Sequence, residues 1–183
     1  MIRIFKFINL MASYHFITHW KVRAPCIEVS DIIGDATSLS DWWPAVYLQV
    51  NELQPGGENN IGRKIELFTK GWLPYTLHWQ FVVTENRKPY GFTIVASGDF
   101  DGRGIWTFEQ DGINCLIQFD WKLDAEKPLL KYLSFIMRPI FEANHKWAMN
   151  KGLESLELEL RRRRGEQNVP APPRATWPHN RYG

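Results

Sequence analysis

Residues 128–164 read PLLKYLSFIMRPIFEANHKWAMNKGLESLELELRRRR, and this last long segment decides the fold. At 100° per residue its apolar and small residues form one stripe, which predicts a long amphipathic helix. Such a stripe needs a large partner surface, and only the segments before it can supply one. We expect Pro139 to kink or restart the helix, and Gly152 to let it approach the sheet closely. The stripe consists of Leu130, Ser134, Met137, Phe141, His145, Ala148, Gly152 and Leu156.

The chain before this helix consists mainly of short alternating segments. Residues 13–23 alternate in the manner of a half-buried strand, and two short helical segments follow at 26–33 and 39–43. Short turns such as Asp111-Gly112 separate the later segments, so neighbouring strands should be antiparallel. These patterns predict an α+β fold in which about seven curved antiparallel strands wrap on the C-terminal helix. The later strands are expected at 46–54, 62–69, 75–85, 91–97, 102–110 and 113–123.

Composition and charge narrow the possible functions. The chain has 183 residues, of which 44% are hydrophobic and 14% aromatic, with nine Trp. These values fit one folded domain with a large aromatic core or pocket. A net charge of +2 argues against nucleic-acid binding through the overall field. Cys26 and Cys115 form no CxxC motif and no His cluster has zinc spacing, so we expect no metal or cofactor and a reducing, cytoplasmic compartment.

The two ends of the chain differ from its middle. Residues 1–11 are interpreted as an N-terminal extension, with a membrane-surface anchor as the alternative. They are too few for a transmembrane segment, which takes about 20 residues. Residues 165–183 contain four prolines and should be extended or disordered, although Trp177 could hold them against the domain. The domain itself is therefore expected at residues 12–164.

Two local motifs carry a resemblance to a known family. WWP at 42–44 and NHKWAMNKGLESL at 144–156, with the order of the elements, make residues 12–164 resemble the START-like helix-grip superfamily, in its bacterial polyketide cyclase/dehydrase-like (SRPBCC) branch. The resemblance implies a helix-grip fold with a cavity between the sheet and the C-terminal helix. Members of the superfamily include ligand carriers, sensors and enzymes, so the fold does not settle the activity.

Three polar side chains are candidates for chemistry in such a cavity. His145, on the apolar stripe, could bind a ligand carbonyl or act as an acid or base; the alternative is a structural histidine. Its neighbour Asn144 could orient a polar ligand group. Arg103 could project from its strand towards a carboxylate ligand, or could belong to a hairpin with its own salt bridges.

Aromatic side chains are expected to form the wall of the cavity. Trp79 and Trp121 are best placed, because the residues that alternate with them on the same face are apolar. Trp42, Trp43 and Tyr75 are further candidates for the wall. The expected ligand-binding residues are Trp79, Trp106, Phe119, Trp121, Met137, Phe141, Asn144 and His145.

Three functions are compatible with these patterns. The first, which we favour, is binding of a small hydrophobic or aromatic molecule that is lipid- or polyketide-like. The second is a polyketide cyclase or dehydratase, with His145 as acid or base and Arg103 or Asn144 as the partner of a carbonyl or enolate. The third is an interaction module that uses the Pro-rich tail and the arginine cluster 161–164, although cations are also favourable at any helix C-terminus. The patterns do not indicate an oligomeric state.

Overall fold

A seven-stranded antiparallel sheet forms most of the protein. The computed structural model describes residues 12–125 and 134–176. Its sheet has the order β1-β7-β6-β5-β4-β3-β2, so the later strands form a meander and β1 returns beside β7. The predicted α+β fold is confirmed. The strands are β1 (Ala12–Val22), β2 (Tyr47–Gln54), β3 (Lys64–Lys70), β4 (Thr76–Asn86), β5 (Gly91–Gly98), β6 (Phe100–Asp111) and β7 (Asn114–Ala125).

Three helices cover this sheet within the described residues. Helix α1 (Cys26–Gly34) and helix α2 (Leu39–Trp42) follow β1, as predicted, and helix α3 (Ser134–Arg163) closes the chain. Helix α3 runs through Pro139 without a break, so the expected restart does not occur. The proline ring removes only one backbone hydrogen bond near the start of a thirty-residue helix. The N-terminal extension 1–11, the predicted first helical residues 128–133 and Trp177 lie outside the described residues.

The inner face of the sheet packs against α3 through alternating side chains. In β1, Tyr14 and Trp20 are buried, whereas His15 and Lys21 are exposed. The buried residues of α3 recur at helical spacing, which matches the predicted stripe in the second half of the helix. They are Met149, Gly152, Ser155, Leu156 and Leu160.

Gly152 brings α3 close to the chain that follows α2, and not to the sheet as predicted. A Cβ atom at Gly152 would lie 2.3 Å from Cζ2 of Trp43, far inside van der Waals contact. The Trp43 ring is enclosed by Trp20, Trp42 and Tyr47, with ring centroids 5.1–5.8 Å away. The glycine is therefore required by its close contact with the Trp43 indole ring, which is packed against three other rings.

The arginine cluster 161–164 makes ion pairs within the protein. Arg164 lies 2.7 Å from Glu28 and ties the end of α3 to the first turn of α1. Arg161 pairs with Glu166, while Arg162 and Arg163 both pair with Glu159. These contacts explain the cluster without an anionic partner, which weakens the interaction-module hypothesis.

The described part of the Pro-rich tail, residues 165–176, lies along the domain and contains no helix or strand. Arg162 Nη2 donates a hydrogen bond to the carbonyl of Pro170 at 3.1 Å. Further along, Thr176 Oγ1 donates to the carbonyl of Trp72 at 3.5 Å. The tail thus runs from the end of α3 back to the segment after β3.

The two cysteines form a disulfide that their spacing did not indicate. Cys26, the first residue of α1, is bonded to Cys115 of β7, and their Cα atoms are 5.1 Å apart. Both residues are buried. This pairing is at odds with the expected reducing compartment, because disulfides persist mainly in oxidising surroundings.

Candidate functional site

A cavity of about 460 Å³ lies between the inner face of the sheet and the helices. This volume is within the range of small-molecule sites, which is about 300–1,000 Å³. Every aromatic residue predicted for the wall contributes to its lining within the described side chains. They are Trp42, Trp43, Tyr75, Trp79, Trp106, Phe119, Trp121 and Phe141.

The sheet side of the cavity is a continuous layer of rings. Phe119 stacks on Trp106 at 4.2 Å and on Trp121 at 5.5 Å between ring centroids. Trp79 lies 6.0 Å from Trp121, and its indole N–H donates a 2.9 Å hydrogen bond to Thr69 Oγ1. Because each ring is held by its neighbours, this wall has a defined shape before any ligand arrives.

His145 lies on the helix side of the cavity with its imidazole stacked on a ring of β1. The ring centroids of His145 and Phe16 are 4.2 Å apart. Nε2 of His145 is buried and has no hydrogen-bond partner among the described residues. Burial lowers the pKa of His145 to about 4, so the imidazole is neutral near pH 7. The structure therefore places an unpaired neutral imidazole at the edge of an apolar space.

Asn144 also lines the cavity, but its amide is engaged in holding the segment 71–75. Its Oδ1 accepts a hydrogen bond from the backbone N–H of Leu73 at 3.2 Å. The same amide packs on Gly71, where an added Cβ would lie 2.1 Å from Oδ1. This oxygen is already used for a structural contact, which leaves the NH₂ group for a ligand.

Two tyrosines complete this end of the cavity. Tyr14 and Tyr75 each make an edge contact with Phe141, with centroid distances of 6.0 and 6.5 Å. Burial raises the pKa of Tyr75 to about 12 and also raises the pKa of Tyr14. The Tyr14 hydroxyl is buried without a partner in the described part of the chain. Both phenols are therefore neutral groups that can donate to a ligand.

Two of the predicted site residues are not seen at the cavity. Arg103 lies in β6 and not in a turn; it is exposed beside Val95 and Lys122 on the outer face, and it is not part of the cavity lining. Strand alternation explains this position, since the adjacent Gly104 faces inwards. Met137 belongs to α3, but its side chain lies outside the described residues.

The sequence patterns missed Tyr14, Phe16 and Lys70 as cavity residues. The first two could have been found, because they alternate on the same face of β1 as the buried Trp20. Alternation assigns Lys70 to the outer face of the sheet, because it follows the inward-facing Thr69 at the very end of β3. Nevertheless Lys70 is only 4% exposed and contributes to the cavity wall.

The opposite end of the cavity is polar. The carboxylate of Asp31, in α1, pairs with the ammonium group of Lys88 in the turn after β4. Arg63 pairs with Glu52 at 2.7 Å, and Asn60 and Asn86 lie at the same end of the sheet. Since the Asp31 and Lys88 side chains are each about half exposed, this end is where the cavity meets the surface.

No group of three or more His, Cys, Asp or Glu side chains in the described ranges is placed to hold a metal ion. Of the described helices, none is long and apolar enough to cross a bilayer.

Solved structures similar to this chain share its fold. The Zhui aromatase/cyclase from Streptomyces sp. R1128 is 15% identical, with a TM-score of 0.66 over 82% of this chain and 95% of that chain. TTHA0849 from Thermus thermophilus is 13% identical, with a TM-score of 0.64 over 80% and 97%. A START superfamily protein from Mycobacterium smegmatis is 14% identical, with a TM-score of 0.58 over 81% and 97%. Identities this low indicate a common fold only.

Sequence comparison assigns the family more firmly than the structural likeness does. No curated protein matches the chain. A family model, however, matches residues 17–161, which include the second half of β1, both short helices and nearly all of α3. The chain belongs to the family described as polyketide cyclase / dehydrase and lipid transport.

Proposed function

We propose that this protein binds a small, largely apolar or aromatic molecule in the cavity beneath α3. The observation that carries the proposal is a cavity of about 460 Å³ whose sheet side is a layer of aromatic rings. Burial of a ligand of this kind removes apolar surface from water on both partners, at roughly 25 cal/mol per Å². The rings need little rearrangement, so less of this free energy is lost in ordering the site.

The polar groups at one end would orient the ligand. Nε2 of His145 and the hydroxyl of Tyr14 are both buried without partners among the described residues. Buried polar atoms without hydrogen bonds are unfavourable, and a ligand oxygen beside them would relieve this penalty. These groups favour a lipid- or polyketide-like molecule with an oxygen function near one end over a plain hydrocarbon.

Filling the cavity tests the proposal. Ala148 lines the cavity on α3, whereas Ala143 on the same helix is exposed. We expect Ala148→Trp to weaken binding of the neutral fluorescent probe N-phenyl-1-naphthylamine by about tenfold or more, because the new ring occupies the space of the probe. The matched control Ala143→Trp should bind as the wild type does.

Two results of this experiment would contradict the proposal. One is equal probe affinity in the two tryptophan variants, which would place the probe outside the cavity. The other is failure of the wild type to bind the probe at all. Mass spectrometry of an organic extract from the purified protein would then identify any ligand that co-purifies.

Catalysis is a second candidate function, supported by the unpaired Nε2 of His145. A neutral imidazole can accept a proton from a carbon next to a ligand carbonyl, and the Asn144 NH₂ group could stabilise the resulting enolate. The pKa of His145, about 4, makes its neutral imidazole a weak base, which is why we place binding first.

Hydrogen–deuterium exchange at the α-carbon of a β-diketone measures this abstraction of a proton. Exchange should exceed the buffer rate and fall to that rate in His145→Gln; no acceleration by the wild type would exclude this role.

A further inference from the structure

Lys70 is a cation in the wall of the cavity, at the end opposite to Asp31, Arg63 and Lys88. It is the last residue of β3 and is paired with Thr76 of β4. The residue as a whole is 4% exposed, and its ammonium nitrogen remains accessible to water or to the space of the cavity. Among residues 14–123 and 138–176, whose side chains the structure describes, no carboxylate lies within 4 Å of its ammonium group, and no hydrogen bond to that group is formed. Burial lowers the pKa of Lys70.

Two carboxylates on the elements beside Lys70, Glu66 on β3 and Glu142 on α3, have other partners. Glu66, four residues earlier on β3, accepts a hydrogen bond from Asn51 at 3.1 Å and lies 3.1 Å from His78. Glu142 on α3 pairs with Arg138 at 3.0 Å. The protein therefore supplies Lys70 with no counter-charge from the described part of these elements.

Partial burial lowers the pKa of Lys70, so its ammonium group is less well hydrated than it would be in free solution. An anion beside it would therefore gain a charge-assisted contact at a reduced hydration cost. The other polar groups at this end, His145, Tyr14, Tyr75 and Asn144, are all neutral near pH 7. Lys70 thus adds a positive charge to a set of neutral polar groups among the described side chains at this end of the cavity.

We propose that the cavity takes an amphipathic anion, with an apolar body among the aromatic rings and a carboxylate or similar acidic group against Lys70. This inference rests on the proposed binding function and narrows its ligand class. The neighbouring neutral donors would supply additional hydrogen bonds to the oxygens of the acidic group. The head of the ligand would lie at the end of the cavity formed by β3 and the N-terminal half of α3.

Two fluorescent probes that differ in charge test the inference. 8-Anilinonaphthalene-1-sulfonate carries an acidic group on an arylamine-naphthalene body, and N-phenyl-1-naphthylamine has the same body without the charge. We expect Lys70→Met to weaken binding of the sulfonate by about tenfold or more, the usual scale for loss of a charge-assisted contact. The same variant should bind the neutral probe within about twofold of the wild type.

Matched variants separate the charge of Lys70 from its packing. Lys70→Arg should keep most of the preference for the sulfonate, and Lys70→Gln should lose it. Lys122→Met removes an exposed cation from the outer face of β7 and should change neither affinity. Thermal unfolding of each variant shows whether it is folded. If Lys70→Met is not folded, Lys70→Gln takes its place in the comparison.

The outcomes distinguish this inference from the function on which it rests. If both probes bind and the Lys70 variants leave their affinity ratio unchanged, the anion-binding role is wrong while the binding function stands. If the wild type binds neither probe, the binding function is overturned, and the anion site with it. If Lys70→Met and Lys70→Gln lose affinity for the sulfonate but not for the neutral probe, both the binding function and the anion site are supported.

Discussion

At the scale of single residues, the unpaired imidazole of His145 should be visible in the pH dependence of stability. Its pKa is about 4 in the folded protein, against about 6.5 in an unfolded chain. Between these values the unfolded chain binds a proton that the folded protein does not bind. Stability should therefore fall as the pH drops from about 6.5 to about 4, by about 1.4 kcal/mol per pH unit from this residue.

Urea unfolding of the wild type and of His145→Gln at a series of pH values measures this effect. Carboxylates contribute to acid destabilisation in both proteins, so the difference between the two curves isolates His145. Tyr14 and Tyr75 at the same end of the cavity titrate far above this range. Parallel curves for the two proteins between pH 4 and 6.5 would show that His145 is protonated as easily in the folded state as in the unfolded state.

At the scale of elements, the packing of α3 depends on the missing side chain at Gly152. Alanine there gains about 1 kcal/mol of helix propensity. The new Cβ would lie 2.3 Å from Trp43, whose ring is enclosed by other rings. Overpacking of this kind costs about 1–3 kcal/mol, and because either the ring or the helix must shift to relieve the contact, we expect net destabilisation by Gly152→Ala.

Asn150→Ala provides the matched control on the same helix. Asn150 is exposed, so this substitution gains helix propensity without a steric conflict and should leave stability unchanged or slightly raised. Chemical denaturation of both variants measures the contrast. A Gly152→Ala variant as stable as Asn150→Ala would mean that α3 is not held against Trp43 in solution.

At the scale of the whole molecule, the disulfide closes a chain segment of 89 residues. It joins the start of α1, a helix that contributes to the polar end of the cavity, to the beginning of β7 beside the β6–β7 turn. Cross-links of this kind commonly stabilise proteins by about 2–4 kcal/mol, largely by restricting the unfolded chain. Reduction of the purified protein should therefore lower its melting temperature.

The variant Cys26→Ala/Cys115→Ala gives the control for this experiment. Its melting temperature should lie below that of the oxidised wild type and should not respond to reductant. Mass spectrometry after alkylation under denaturing conditions reports the pairing directly. Two alkylated cysteines in the unreduced wild type would show that Cys26 and Cys115 are not bonded.

The sequence predicts the fold well because local periodicity and turn chemistry determine it. Alternation in β1 and the spacing of Gly152 and Leu156 on α3 depend only on nearby residues and on burial. Lys70 shows where such rules fail, because at the end of a curved strand the chain can bury a side chain that alternation assigns to solvent. The outward position of Arg103 follows from alternation with Gly104 and Trp106 and could have been predicted. The Cys26–Cys115 pairing depends on tertiary contacts between distant segments, which spacing does not encode.

The space beneath α3 also has a mechanical consequence. Hydrostatic pressure favours the state of smaller volume, and water fills internal space when a protein unfolds. A domain built around a cavity of about 460 Å³ should therefore be unusually sensitive to pressure for its size. A molecule that fills the cavity reduces this change in volume and also stabilises the folded state, so it should raise the pressure at which the protein unfolds.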